Sequence, residues 1–245
     1  MKNYQAPSQH LKDRVILVTG VGQGIGKTAA LTFAQQGATV ILLGRSIKKL
    51  EVTYDEIVAG KNPEPLIFPM DLEKANENDF KAMAEGIYQS LGRLDGILHN
   101  ATHFDNLSPL EIQTMEQFDR MFRVNVTATF GLTKACLPLL TRAADASIIF
   151  TSNSSAQEHK AYWGSHGISK IAADAMMKTW ALELEKYTNL RLNTIVPGGL
   201  QSPQRKKTHP GEVHNNLATA ESVMPTYLYL MGSDAKGISG KVFNC

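Results

Sequence analysis

The stretch Thr19-Gly20-Val21-Gly22-Gln23-Gly24-Ile25-Gly26 follows an apolar run of strand length and opens a segment of helical period. Glycine permits a tight turn and lets another group approach the backbone closely. Amides at a helix N-terminus, with the helix dipole behind them, stabilise negative charge. The spacing reads as a cradle for the pyrophosphate of a dinucleotide, formed by Gly20, Gly22, Gln23, Gly24, Ile25 and Gly26. A bare strand-to-helix turn is the competing reading, and the strand-loop-helix context weighs against it.

A second position bears on which dinucleotide. Gly44-Arg45-Ser46 stands at the end of the next apolar run, with no carboxylate. An acidic residue there would hydrogen-bond a ribose 2′-hydroxyl and select NAD, whereas a base accommodates a 2′-phosphate. The guanidinium of Arg45 offers fixed donors and a permanent charge, which suit a phosphate. NADP(H) is therefore expected in preference to NAD(H), against the alternative of a solvated charge at a strand end.

The elements that must position these residues are legible from periodicity. Strand-length apolar runs occur at Val15–Thr19, Thr39–Leu43, Leu66–Met70, Gly96–Asn100, Ser147–Thr151, Arg191–Val196 and Val242–Phe243. Most are continuous rather than alternating, as expected for parallel strands covered on both faces. Between them lie helical patterns: Ile25–Gln36, the stripe Phe80, Met83, Ala84, Ile87 and Leu91, a long segment from Met115 to Thr141, and the stripe Ala173, Met176, Met177, Trp180 and Leu184. The alternation predicts an α/β fold, a doubly wound parallel sheet of about seven strands with helices on both faces, in one domain over residues 1–245. The polar segment from Gly199 to about Asn216, with Arg205, Lys206, Lys207 and His209, follows a strand. It reads either as a solvated loop or as a mobile flap over a pocket.

Composition narrows the class further. The 245 residues are 43% hydrophobic and 20% charged, and 25 basic against 23 acidic side chains leave a formal charge of +2. That balance favours neither nucleic acid nor a membrane surface as partner. Two cysteines, Cys136 and Cys245, argue against a disulfide framework and for a reducing compartment. The polar start of the chain lacks the apolar core of a signal peptide, and no run approaches the ~18 apolar residues of a membrane span. A soluble cytoplasmic protein is expected, with no bound metal.

With these residues in place the chain resembles the short-chain dehydrogenase/reductase family, in its short single-domain form with a Rossmann-like fold. Thr-Gly-x-x-x-Gly-x-Gly is similar to that family's cofactor loop, and the resemblance spans residues 11–244. Asp71-Leu72 looks like the pair beside the adenine ring. His99-Asn100-Ala101 resembles the segment Asn-Asn-Ala-Gly, with Thr102 in place of the glycine. Asn125 matches the helix asparagine that supports a proton-relay water, and Lys170 the lysine of Tyr-x-x-x-Lys. Pro197-Gly198 matches the turn beside the nicotinamide, and Ser202 keeps a hydroxyl where a threonine is usual. The resemblance implies a nicotinamide oxidoreductase acting on a small carbonyl or alcohol. It also implies a homodimer or homotetramer paired through the helices that carry Asn125 and Lys170.

The chain departs from that pattern at its centre. The family's tyrosine falls on His166 and its serine on Asn153, so the tetrad becomes Asn125, Asn153, His166 and Lys170. Tyr162 lies ~12 Å along a helix from Lys170 and reads as a packing residue of the preceding loop. Ser152 and Ser154 would replace Asn153 only through a one-residue shift that reverses a side chain's face. Asn153 keeps an amide donor able to polarise a carbonyl. His166 is an acid-base group in principle, though Lys170 and a positive nicotinamide disfavour its protonated form. Three readings stay open: an oxidoreductase using Asn153 with His166 or a water on Asn125, a non-catalytic NADP(H)-binding sensor or scaffold, and a structural protein without nucleotide.

Overall fold

The computed structural model describes residues 3–245. The apolar runs form strands β1 (Val15–Thr19), β2 (Thr39–Gly44), β3 (Leu66–Pro69), β4 (Gly96–His99), β5 (Ala146–Thr151), β6 (Leu190–Val196) and β7 (Val242–Asn244). They make one parallel sheet in the order β3-β2-β1-β4-β5-β6-β7. Helices α1 (Gly24–Gln35), α2 (Ile47–Ala59), α3 (Glu77–Leu91), α4 (Met115–Phe122), α5 (Ala128–Leu140), α6 (Ser155–Glu158), α7 (Gly164–Glu183), α8 (Pro203–Thr208) and α9 (Met224–Met231) surround it. This is the expected Rossmann-like α/β architecture.

Strand side chains alternate between two faces, and each face has its own core. Leu17, Ile41, Ile97 and Ile148 pack with Phe80 and Met83 of α3, Leu132 of α5 and Met177 of α7. Ile16, Leu42, Leu98 and Ile149 pack with Phe33 of α1, Ile57 of α2 and Tyr227 of α9. Both faces being covered explains why the strands read as unbroken apolar runs. A largely enclosed ionic strut ties the amino-terminal ends of β1, β5 and β6: Asp145, just before β5, accepts from both Arg14 and Arg191.

Three expectations change. The segment Met115–Thr141 is α4 and α5 joined by a π-helical turn over Arg123–Thr127, not one regular helix. A π-turn widens the hydrogen-bond ring without needing glycine or proline, so the apolar pattern does not announce it. The segment 199–216 is not irregular throughout, because Ser202 caps α8 by accepting from the Arg205 amide at 3.0 Å, with Pro203 in the first turn. Tyr162 is not a packing residue: it is 60% exposed and has a φ of 70°.

Candidate active site

β1 lies between β2 and β4, so the connections leaving its neighbours diverge and open a crevice at the strands' carboxyl ends. A cleft of about 350 Å³ occupies it. Gly20, Gly22, Gln23, Gly24 and Ile25 form its floor, Arg45, Asp71 and Leu72 one end, and Asn100 and Ser202 the other walls. Gly24 has a φ of 58°, and nothing beyond the adjoining backbone lies within 4 Å of where a Cβ would stand. The first turn of α1 carries no acidic residue and no side-chain cap, which leaves its amides to a ligand's oxygens. These features fit a dinucleotide pyrophosphate.

Gly26 does not line the cleft. A Cβ there would stand 2.3 Å from the Gly20 carbonyl oxygen and 2.5 Å from Asn100 Nδ2, so this glycine lets α1 pack against the strand ends. Thr19 completes the joint: its hydroxyl accepts from the Asn100 and Ala101 amides, each at 3.0 Å. Two residues beside Arg45 escaped sequence reasoning. Ser46 and Lys49 also line that end, and Lys49 Cδ comes within 3.1 Å of a Cβ built on Gly22. The signal is the pair Lys48-Lys49, three and four positions after Arg45, presented by the first turn of α2, a helix that the periodicity does not reveal.

A second cavity of about 130 Å³ adjoins the first and contains Asn153, His166, Lys170, Pro197 and Gly198. Three of the four residues aligned with a catalytic centre therefore meet. Lys170 is one helical turn beyond His166, its Nζ donating to the Thr151 carbonyl at 3.0 Å and lying 4.8 Å from the Phe150 ring centre. Asn153 Oδ1 accepts from the Ser155 amide at 2.9 Å, so its Nδ2 is the group left to meet a ligand. Ser152 is committed elsewhere, donating to Asp174 at 2.8 Å.

Asn125 stands behind this cavity, and its amide is fully used. Oδ1 accepts from the His103 amide at 2.7 Å and from the Thr102 hydroxyl at 3.1 Å. Nδ2 donates to the His103 carbonyl and to Ser169 Oγ. The backbone oxygen of Asn125 accepts from Thr129 at 3.1 Å. The threonine in place of the family's glycine thus acquires a role as a brace for Asn125. His103, which sequence reasoning passed over, is the hub of this region.

His166 is 2% exposed, edge-on to Phe104 with ring centres 5.1 Å apart and beside Trp163. Its Nδ1 lies 3.1 Å from the His103 carbonyl oxygen, which can only accept, so Nδ1 carries the hydrogen. Nε2, buried and without a partner, is then a lone-pair acceptor in the neutral ring. Burial, followed by the charge of Lys170, lowers the pKa of His166 to about 3. Burial likewise takes Lys170 down to about 8, with Asp174 opposing the shift. His99 in β4, bonded to the Thr133 hydroxyl at 2.9 Å, is also lowered to about 3 by burial.

The two buried rings make stability depend on pH. In the unfolded chain each binds a proton near 6.5, whereas in the fold each resists protonation down to about 3. The unfolded state takes up protons first, so stability is complete above 6.5 and falls as pH drops towards 3. Each ring should cost roughly 1.4 kcal/mol per pH unit across that window. Urea unfolding at pH 7.5 and 5.0 measures the loss, and His99→Gln or His166→Asn should each remove one ring's share of it. An unchanged loss in both variants would clear the two histidines.

The sequence matches the short chain dehydrogenase family over residues 14–213. It is 39% identical to the oxidoreductase YciK of Escherichia coli (strain K12) over 242 residues, 99% of this chain and 95% of that one. A solved short chain dehydrogenase from Pseudomonas syringae superposes with a TM-score of 0.96 at 45% identity, covering 99% of this chain and 98% of that one. A short chain dehydrogenase from Escherichia coli CFT073, solved in complex with NADPH, gives 0.93 at 40% identity over 97% and 99% of the two chains.

Proposed function

The chain belongs to the short-chain dehydrogenase family, and from that premise we propose an NADP(H)-dependent oxidoreductase acting on a small carbonyl or alcohol, with proton transfer as its weak step. The carrying observation is the contrast between the two cavities. The first has a glycine cradle, a free helix N-terminus and the basic pair Arg45 and Lys49. The second has Lys170 and the Asn153 amide but a histidine whose Nε2 bears no hydrogen. When bound, the nicotinamide supplies the hydride chemistry and the protein supplies position and charge.

In this reading Lys170 holds the ribose end and Asp71, Leu72 and Asn100 the adenosine side. Pro197, Gly198 and Ser202 edge the nicotinamide, and Asn153 Nδ2 orients the substrate oxygen. Asn125 positions the loop that carries His103. His166, neutral at physiological pH, contributes an acceptor rather than an acid. A second reading, a non-catalytic NADP(H)-binding sensor or scaffold, draws on the same observation, since the depressed pKa of His166 removes the proton donor altogether. Titration with NADPH followed by single-turnover assays on a panel of carbonyls separates them. Binding with slow oxidation of NADPH supports the enzyme, binding with none supports the sensor, and no binding removes both.

The choice of cofactor is tested separately. NADPH should bind several-fold more tightly than NADH, and Arg45→Ala should cost about 1.5–3 kcal/mol, roughly tenfold to 150-fold, for NADPH alone. Calorimetry with equal affinities for both nucleotides would remove this assignment. Pairing between copies is proposed through the outer faces of α5 and α7, where Phe130, Ile168, Ile171 and Leu182 are exposed. Among the described residues no helix is long and apolar enough to cross a membrane. A cytoplasmic location is proposed from the cysteine usage.

A further inference from the structure

Side chains from consecutive turns of α7 meet the segment that leaves β5. Lys170 Nζ donates to the Thr151 carbonyl at 3.0 Å, and Asp174 Oδ2 accepts from Ser152 Oγ at 2.8 Å. Residues four apart on a helix share a face, so Lys170 and Asp174 stand side by side over Thr151 and Ser152. The Ser152 amide is held as well, donating to the Ile195 carbonyl of β6 at 2.8 Å. Asn153, the next residue, lines the cavity beside Lys170. Asp174 thus anchors the backbone between the carbonyl that holds Lys170 and the side-chain amide at 153. Its second oxygen, Oδ1, is enclosed and has no hydrogen-bond partner among the described residues.

A buried carboxylate oxygen without a partner is costly unless a nearby charge compensates. The compensating charge is on Lys170, which is itself buried. The remaining groups around Lys170 are neutral or cationic. His166, one turn earlier, is a neutral ring, the Phe150 ring faces Nζ, and Lys160, Arg205 and His209 line the same cavity. Lys178 stands one turn beyond Asp174. Burial lowers Lys170, and Asp174 is the carboxylate that opposes it. Burial raises Asp174 in turn, and the Ser152 hydroxyl, Lys170 and Lys178 oppose that.

We propose that Asp174 is a positioning residue of this centre, clamping Ser152 and keeping the neighbouring Lys170 ammonium charged. A charged donor makes the stronger hydrogen bond to a ligand. The role rests on the oxidoreductase reading only where Lys170 meets nucleotide, because the coupling between the two side chains needs no ligand. Asparagine at 174 can still accept from Ser152 but carries no charge, whereas alanine at 152 removes the clamp and leaves the charge.

Lysine isotopically labelled at Cε reports the titration of Lys170 by NMR, its signal assigned by loss in Lys170→Met. The unaltered protein should show an inflection near about 8, and Asp174→Asn should move it down by at least about half a pH unit. An unmoved inflection overturns the proposal. If Asp174→Asn does not fold, the reciprocal measurement decides: Lys170→Met should raise the titration of labelled Asp174 by the same amount, and no rise overturns the coupling. NADPH affinity at pH 6.5 and 8.5, on either side of that inflection, reads the consequence. Asp174→Asn should bind several-fold more weakly at the higher pH and change little at the lower one. Ser152→Ala should weaken binding by a similar factor at both, and unchanged affinity there overturns the clamp. Failure of the unaltered protein to bind NADPH counts against the oxidoreductase reading, whereas binding with an unmoved Lys170 inflection counts against the role of Asp174 alone.

Discussion

The double change His166→Tyr with Asn153→Ser is expected to raise reduction of simple ketones by about 10²–10⁴-fold, the usual contribution of a well-placed general acid. The unaltered centre lacks that acid because the His103 carbonyl fixes the hydrogen of His166 on Nδ1, away from the unpartnered Nε2. A phenol at 166 would carry its donor farther from the helix. Lys170, one turn away and itself lowered to about 8, would favour the ionised phenol as the proton leaves. Serine at 153 can accept from the Ser155 amide as asparagine does and still present a hydroxyl. The His103 carbonyl would lose one donor but keep Asn125 Nδ2 at 3.3 Å, so the backbone there stays paired. His166→Tyr alone should gain less, because the oxygen-orienting partner would still be an amide. Steady-state assays with NADPH read the result. Brisk turnover by the unaltered protein, with a pH profile following one group near ~6–7 that vanishes in His166→Ala, would make histidine the acid and sink this account.

Gly24→Val should weaken NADPH binding by at least about 100-fold, some 2.7 kcal/mol, while the protein stays folded. The φ of 58° is unfavourable for a side chain by roughly 1–2 kcal/mol, and a β-branched residue suits it least. The fold tolerates that cost because nothing beyond the adjoining backbone lies within 4 Å of the new Cβ. The vacant space is the cleft itself, so the valine methyls fall where the pyrophosphate must approach. Fluorescence titration with NADPH gives the affinity, and circular dichroism with thermal melting checks the fold. Affinity within a few-fold of the unaltered protein would show that this loop does not hold the phosphates.

The sheet was readable from the chain because burial on both faces writes itself as continuous apolar runs, from Val15–Thr19 to Arg191–Val196. The glycine loop was readable because its residue type is dictated by backbone geometry at Gly24 and by close packing at Gly26. What stayed hidden depends on tertiary contacts that carry no period. Lys49 becomes part of the cleft only through α2, whose half-polar sequence does not stand out. His103 and Asp105 look like ordinary loop residues until the fold sets them against Asn125 and His166. The π-turn at Arg123–Thr127 leaves no mark in composition. His166 itself was found by its offset from Lys170, but its charge state and tautomer required the burial and the carbonyl that only three dimensions supply.

His103 has a further consequence for how two ligands would sense each other. His103 lines the large cleft, its ring bonds to Asp105, its amide donates to Asn125, and its carbonyl accepts from both Asn125 and His166. One residue is thus part of both neighbourhoods. Whatever free energy nucleotide occupancy spends or releases in settling His103, a molecule bound against His166 must register with equal size and sign, because linkage between binding sites is reciprocal. Measuring nucleotide affinity with and without the smaller ligand therefore measures the smaller ligand's affinity with and without nucleotide. The coupling can be followed from whichever side gives the better signal.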